Sequence, residues 1–445
     1  MSNECRIVVQ YKNDSGRFTN ETVINIGTIK NAASIIELGL RHTEQIDILQ
    51  KIQDSVLNAQ SVHLQENIKF CPRCGNPLIK NGITKSSFNS VYTDHKVAAH
   101  RLLCKKCQWK SVPSINSLFG THMHPDLTKL QCEYAAEHSY SQASELLNKK
   151  SGGSKRPVNN TMTLHKVIDK VGNYISDNPL LYVSDHVAPA DELVAQTDGG
   201  HIKTTEEEKR SFEALISVLY KPENMIDKNE KGRGEIIKKH CAASALDDSL
   251  HRIIQSTFAA AKKEGITKNT RIIALCDGAD NCWNVINSLE KHCAGIERIL
   301  DWFHITMKFK NIAVSETNKD LFERAKWSIW HGDLVGAAFK LTELFGKTKN
   351  LKNKKRILKL RNYLINNFDK IVNYSERERN NKIFTSNIAE CAVESLINQR
   401  FKGKQHMRWS REGVHPLLQI RAEIASSEWA VNYENYILGA YAKVA

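Results

Sequence analysis

The sequence predicts an α/β core preceded by a small cysteine-bearing module and a helical stretch, and three features carry that reading. From about residue 190, apolar runs each stop at an aspartate: E-L-V-A-Q-T-D-G-G with Asp198, R-I-I-A-L-C-D-G-A with Asp277, and I-E-R-I-L-D-W-F-H with Asp301. F-E-A-L-I-S-V-L-Y at 212–220 and an amphipathic stretch around 246–264 lie between the first two. Strands alternating with helices imply an α/β layer with a partly parallel sheet. Two C-x-x-C pairs, Cys71/Cys74 and Cys104/Cys107, bracket residues 75–103. Finally, the run Asn387–Ile420 sets Glu390 and Glu394 one helical turn apart, then adds Arg400, Lys402, Lys404, Arg408 and Arg411 against the single acid Glu412.

Size and charge bound the answer. A chain of 445 residues with 41% hydrophobic content is long enough for about two to four packed domains. The net charge of +14 points to an anionic partner, most simply nucleic acid, or equally to a basic surface that is merely solvated. No apolar run approaches the ~20 residues of a membrane span, so no membrane partner is expected. The start, M-S-N-E-C-R-I-V-V, lacks the charged leader and apolar core of a signal peptide. Eleven cysteines in that setting point to reduced thiols, some of them metal ligands, in the cytoplasm or nucleoid.

Along the chain, residues 4–27 alternate as two short strands, and 30–65 carry apolar residues at helical spacing (Ile35, Ile36, Leu38, Leu40, Ile46, Ile48, Leu49, Ile52); together they form an N-terminal segment, 1–66. The cysteine pairs and the turn signals Gly75-Asn76-Pro77 and Asn81-Gly82 define a module over 67–125. Region 126–188 is mostly helical, broken by S-G-G-S-K-R-P at 151–157. The first part of the α/β core spans 189–301. Residues 302–384 lack strand signals and read as a polar helical insertion, with eight basic residues and no acid in 347–361. Residues 385–445 hold the glutamate helix and the basic run, and no internal repeat is visible.

Each motif implies a chemistry. Two C-x-x-C pairs bring four thiolates onto one ion, the spacing of a Cys₄ zinc ribbon with one structural Zn²⁺ that either touches DNA or scaffolds. S-Y-S-Q-A-S-E-L-L (139–147) followed by N-N-T-M-T-L-H-K-V (159–167) is similar to a helix-turn-helix. Its first helix would pack Ala143, Leu146 and Leu147. Its second would start at Asn160 and present Thr161, Thr163, His165 and Lys166 to a major groove, the alternative being an ordinary helical hairpin. Asp198 and Asp277 with one of Glu390/Glu394 make a set of hard oxygen donors suited to Mg²⁺ or Mn²⁺. Two such ions support phosphoryl transfer. Asp301 and His304 form either a pair beside that site or a hydrogen-bonded cap at a strand–helix junction. Trp409 stacks on a base or packs in the core. Cys276, Cys282, Cys293 and Cys391 sit in apolar or helical contexts and read as buried.

Four ordered segments carry a family resemblance: T-D-G-G-H-I-K-T (197–204), L-C-D-G-A-D-N-C-W (275–283), I-L-D-W-F-H (299–304) and A-V-E-S-L-I-N-Q-R-F-K-G-K-Q-H-M-R-W-S (392–410). Across about 190–425 the chain resembles bacterial insertion-sequence transposases of the DDE type, closest to the Kra group and distantly similar to Mutator-like elements. The resemblance implies an RNase H-like catalytic core with an all-helical insertion. It implies Asp198, Asp277 and Glu394 as ligands of two Mg²⁺ (or Mn²⁺) ions, Glu390 being a second glutamate at the same place. It matches D-W-F-H to the family's Asp-x-x-His signature. The N-terminal half matches only in type, as a zinc ribbon and a helix-turn-helix-like region ahead of the core.

The expected activity is binding of terminal inverted repeats followed by metal-dependent cleavage and strand transfer on double-stranded DNA, both element ends and target. Lys402, Lys404, Arg408 and Arg411 would contact phosphates, and a homo-oligomer would hold two DNA ends. Two other readings stay open at this level: a domesticated DNA-binding regulator with a silent core, and a different RNase H-like nuclease that cuts without joining.

Overall fold

The computed structural model describes residues 3–12, 16–29, 35–66, 68–227, 234–385, 387–402 and 407–442, in two compact units. One unit is Met1–Lys170 with Tyr433–Ala445; the other is Val171–Asn432. Among the described residues no helix is long and apolar enough to cross a membrane.

The first unit opens with an antiparallel pair, β1 (Asn3–Lys12) and β2 (Phe18–Ile29), as the alternation predicts. Helix α1 (His42–Glu66) follows, and residues 30–34 lie outside the described residues. A three-stranded sheet comes next: β3 (Ile79–Asn89), β4 (Asp94–Leu103) and β5 (Lys110–Ser111). Helix α1 is tied to β4 by buried polar groups. His95 is held on both ring nitrogens, by Asp54 of α1 and by Ser90 Oγ at 2.9 Å, and Gln65 Nε2 donates to Ala98 O at 2.7 Å. The short α2 (Ile115–Phe119) leads into α3 (Pro125–Glu137), α4 (Tyr140–Lys150) and α5 (Thr161–Asp177), which share a small core of Ala143, Leu147 and Leu164. Two of the three residues expected to pack on the first helix do so. Leu146 instead is 36% exposed, because the core lies on the Ala143/Leu147 side of α4.

The second unit is built on a five-stranded sheet of order β10-β7-β6-β11-β12, from β6 (Glu192–Lys203), β7 (Ser211–Tyr220), β10 (His240–Ser244), β11 (Arg271–Cys276) and β12 (Gly295–Leu300). A small side hairpin, β8 (Met225–Asp227) and β9 (Gly234–Ile236), lies apart from it. Strands β6, β7 and β10 are antiparallel, whereas β11 is parallel to both β6 and β12. On one face Leu193, Ala195, Leu215, Leu219, Ile272 and Ala274 pack with α6 (His251–Lys263) and α7 (Asp280–Asn287). Alternation sends the intervening residues to the other face. There Gln196 Oε1 accepts from Ala389 N at 3.0 Å, on α13 (Asn387–Val393).

Helices α8 (Trp302–Lys310), α9 (Glu316–Trp330), α10 (Leu334–Lys347), α11 (Leu351–Asn366) and α12 (Tyr374–Arg379) make the segment after β12 helical. It is pinned to the sheet by Tyr374, whose hydroxyl donates to Leu300 O at 2.7 Å, and by an aromatic cluster with Trp302 and Trp330. The chain then passes through α13, a π-helical turn at Glu394–Asn398, the single turn α14 (Gln399–Phe401), α15 (Arg411–Ala425) and α16 (Trp429–Tyr441).

Two expectations change. The boundary expected at 188/189 falls earlier, because the second half of α5 belongs to the core unit: Val171 is fully buried and a Cβ on Gly172 would lie 2.1 Å from Pro416 O. Moreover, β6 does not stop at Asp198. It runs on through Gly199 and Gly200, paired with β7, to Lys203. Glycine permits this: a Cβ on Gly199 would strike Glu213 Oε1 at 2.3 Å, and one on Gly200 would strike Ile397 Cδ1 at 2.7 Å.

At the start of β10, His240 is 3% exposed and lies between two carboxylates, Glu264 Oε1 at 2.7 Å and Glu428 Oε1 at 3.1 Å. Burial pulls its pKa down, but the two hydrogen-bonded carboxylates outweigh burial and the net shift is upward. The hydrogen bond from His240 in turn holds the Glu428 carboxyl down at about 2. A raised histidine stabilises the fold fully below its unfolded pKa of about 6.5 and loses that contribution as pH rises through the folded value. His240→Gln is therefore expected to lower the urea midpoint most at about pH 6, with the gap to wild type narrowing by about pH 9. A gap independent of pH would show that the imidazolium does not bridge these carboxylates.

Candidate metal centres

The parallel register builds the acidic centre. Thr197, Cys276 and Leu300 are aligned across β6, β11 and β12, so the residue after each is an aspartate at the same level: Asp198, Asp277 and Asp301. Neighbouring strands stand about 4.8 Å apart, close enough for adjacent carboxylates to share an ion. Asp198 is 7% exposed and accepts from its own following amide, Gly199 N, at 2.8 Å. Asp277 Oδ1 accepts from Ala279 N at 2.8 Å, and its carbonyl accepts from the Tyr363 hydroxyl at 2.7 Å.

Asp301 takes a different part. It is fully buried and caps α8, its carboxylate accepting from Phe303 N at 3.2 Å and His304 N at 3.0 Å. Its Oδ2 also meets His304 Nδ1 at 2.7 Å. The two readings of D-W-F-H therefore hold together: the cap is what aims the imidazole. Ligand atoms of Asp198, Asp277 and His304 all lie within 4.8 Å of one another and could hold a metal ion. With Nδ1 on Asp301, Nε2 is the nitrogen suited to ligation, the usual way a carboxylate fixes a ligating histidine.

Glu394 stands on the same sheet face as Asp198, next to Val393, which packs over Gly200. Among the described residues, however, the group that could share one ion comprises Asp198, Asp277 and His304. The Glu394 carboxylate is exposed at the start of the π turn and accepts from Asn398 Nδ2 at 2.7 Å. The side chain of Glu390 and all of Lys404 lie outside the described residues.

The basic run divides. Lys402 and Arg408 are exposed. Arg400 is 3% exposed and its guanidinium stacks 5.0 Å from the Trp409 ring centroid, so it packs in the core instead of contacting a phosphate. Arg411 is also drawn inward, donating to Ala245 O at 2.9 Å and lying 4.8 Å over the Phe212 ring. Trp409 packs edge-on against Phe401 at 5.1 Å, and its backbone is stitched to β6 through Lys203 O and Thr205 N. Trp409 is half-buried in this packing. Cys276, Cys282 and Cys293 are buried as expected, whereas Cys391 is exposed on the outer side of α13.

The cysteine pairs form a second centre. Cys71, Cys74, Cys104 and Cys107 gather within 4.8 Å of one another, with Sγ–Sγ contacts of 3.5 Å. The two knuckles are built alike. Cys71 N donates to Asn76 O at 2.8 Å and Gly75 N to Cys71 O at 2.9 Å; Cys104 N donates to Trp109 O at 2.8 Å and Gln108 N to Cys104 O at 2.9 Å. Gly75 takes a left-handed φ of 69°, and Gln108 takes the same conformation at 57° without the freedom of glycine.

On α5, Asn160 caps as expected, Oδ1 accepting from Thr163 N at 2.8 Å. Thr161 and Lys166 are exposed, Thr163 is half-buried, and His165 is paired with Asp169 at 2.8 Å.

Substituting Cys104→Ser is expected to release one equivalent of bound divalent metal, read by a chromogenic chelator, and to lower the melting temperature. Unchanged metal content would remove the four-thiolate centre. At the acidic centre, Asp301→Asn should weaken Mn²⁺ binding about 10- to 100-fold in calorimetry through loss of His304 orientation; unaltered affinity would separate the imidazole from the ion.

A model of an uncharacterised protein family, UPF0236, matches residues 246–431, a span that holds Asp277, Asp301, His304 and Glu394 but not Asp198 or the cysteine knuckles. In a sequence comparison, no curated protein matches the chain.

Proposed function

We propose that this chain is a DDE-type DNA transposase that binds terminal inverted repeats through its N-terminal unit and cleaves and joins DNA with divalent metal at Asp198 and Asp277. The observation that carries this reading is the level row of aspartates, Asp198 within β6 and Asp277 and Asp301 just past the ends of β11 and β12, backed on the same sheet face by the Glu394 helix. The strand order, with two antiparallel strands on one side of β6 and two parallel strands on the other, supports an RNase H-like core. The helical segment between β12 and α13 supports the insertion that the transposase resemblance implies.

The donors fit the proposed metals. The two carboxylates suit Mn²⁺ or Mg²⁺, the imidazole favours Mn²⁺ of the two, and Glu394 is the proposed further carboxylate for a second ion. Bound divalent ions would supply activation of water or a 3′-hydroxyl and stabilisation of the leaving oxygen. The chain's own residues do the rest. Asp198 and Asp277 would hold the ion that meets the reacting phosphate, Asp301 holds His304 in one tautomer, and Lys402 and Arg408 neutralise neighbouring phosphates. In the N-terminal unit, tetrahedral zinc with Zn–S bonds of about 2.3 Å places sulfurs about 3.8 Å apart, close to the contacts among the four cysteines. Thr161, Lys166 and His165 on α5 are the proposed groove-facing residues, the protein acting as a homo-oligomer on nucleoid DNA. The alternative, a DNA-binding regulator, gives no reason for a carboxylate pair and an imidazole held by Asp301 to converge.

The test is strand transfer by the full chain on the DNA that flanks its own gene, with Mn²⁺ or Mg²⁺. Wild type is expected to nick at inverted repeats and join the freed ends to a target, and Asp277→Asn to do neither. Full activity in Asp277→Asn would overturn the mechanism; cleavage without joining would favour an RNase H-like nuclease.

A further inference from the structure

A cavity of about 750 Å³ opens directly beside the aspartate row, between the start of α7 and the insertion helix α11. Gly278, the residue after Asp277, forms part of its wall, and so does Tyr363, whose hydroxyl is fixed on the Asp277 carbonyl at 2.7 Å. The cavity and the acidic centre therefore share a wall.

Its lining excludes most ligands. The polar side chains outnumber the apolar ones, so a lipid or apolar cofactor has little to bury against. Asp280 is the one acid on the wall, which is too few for a cation site. Four amides, Asn284, Asn287, Asn362 and Asn366, are exposed and line it. Each amide carries a donor pair and an acceptor on one planar group, which is the pattern presented by the edge of a nucleobase. Lys359 is exposed at the rim, whereas Lys370 is paired with Asp369 at 2.9 Å and lies 5.6 Å over the ring of Trp283, which is 5% exposed. The half-buried Tyr363 ring, the amides and Lys359 together match the base, its edge and its phosphate. The volume suits a nucleotide-sized ligand and is too small for a duplex.

We propose that this cavity receives an unstacked nucleotide of a single DNA strand, adjacent to the phosphate at Asp198 and Asp277. Its placement next to a reacting phosphate rests on the proposed function; its affinity for single-stranded nucleotides does not. Taking one nucleotide out of the stack would anchor the strand in register, so that the cut falls at a fixed step from the pocket.

The experiment uses the full chain without divalent metal and two fluorescein-labelled probes, an oligothymidylate of about ten nucleotides and a random-sequence duplex of about twenty base pairs, read by anisotropy. Asn362→Ala/Asn366→Ala is expected to weaken oligothymidylate binding about tenfold, as for loss of one base contact, and to leave duplex binding within about twofold. Lys359→Ala is expected to flatten the salt dependence of oligothymidylate binding by about 0.7 in the log–log slope. All three residues are exposed, and matching melting temperatures will verify the fold. Variants that bind the oligothymidylate like wild type, or a wild type that does not bind it, would overturn the proposal. Loss of strand binding in the variants from a protein that shows no metal-dependent cleavage would uphold the pocket while removing the proposed reaction. Cleavage with strand binding unaltered in the variants would do the reverse.

Discussion

Three parallel strands held in one register set the geometry on which the rest of the site depends. Because Thr197, Cys276 and Leu300 are in register, the next backbone step on each strand delivers an aspartate to the same edge. A slip of one residue in β11 would send Asp277 to the opposite face and break the row, since side chains alternate strictly along a strand. The register is enforced by burial: Leu193, Ala195, Ile272 and Ala274 fill one face beneath α6 and α7, and none of them has a polar substitute position to occupy.

The helices on the other face approach closely because β6 carries glycine where they cross. Gly200 lies under Ile397 and Val393, which brings α13 and the π turn down onto the strand two residues past Asp198. The π turn is held from behind by Arg421, 5% exposed, whose guanidinium donates to Leu396 O at 2.9 Å and to Ser395 O. Such turns recur at functional sites, where an extra residue re-aims side chains without ending the helix. Here it falls on Glu394 itself, and the carboxylate is turned toward Asn398.

Much of this was legible in the sequence for physical reasons. The apolar run ending in aspartate marked β11 because a buried parallel strand has no polar alternation to disguise it. The cysteine spacing marked the four-thiolate centre because only tight knuckles place both sulfurs of a C-x-x-C on one ion. What sequence could not show was long-range. The apolar run before Asp198 read as stopping there, yet pairing with β7 carries the strand on to Lys203. A run of cations read as one DNA-facing surface, yet Arg400 and Arg411 fold inward, onto Trp409 and onto Phe212 and Ala245. Tyr363 was missed altogether: nothing local distinguishes a tyrosine in a basic helix from one whose hydroxyl braces Asp277. His304 was read as lying beside the site, and its place among the ligand atoms became visible only once Asp301 was seen to cap α8.

Anomalous diffraction from crystals grown with Mn²⁺ tests the central claim most directly. The account predicts a manganese peak in coordination distance of the Asp198 and Asp277 carboxylates and of His304 Nε2. Ordered protein with those three side chains in place and no manganese between them would contradict it.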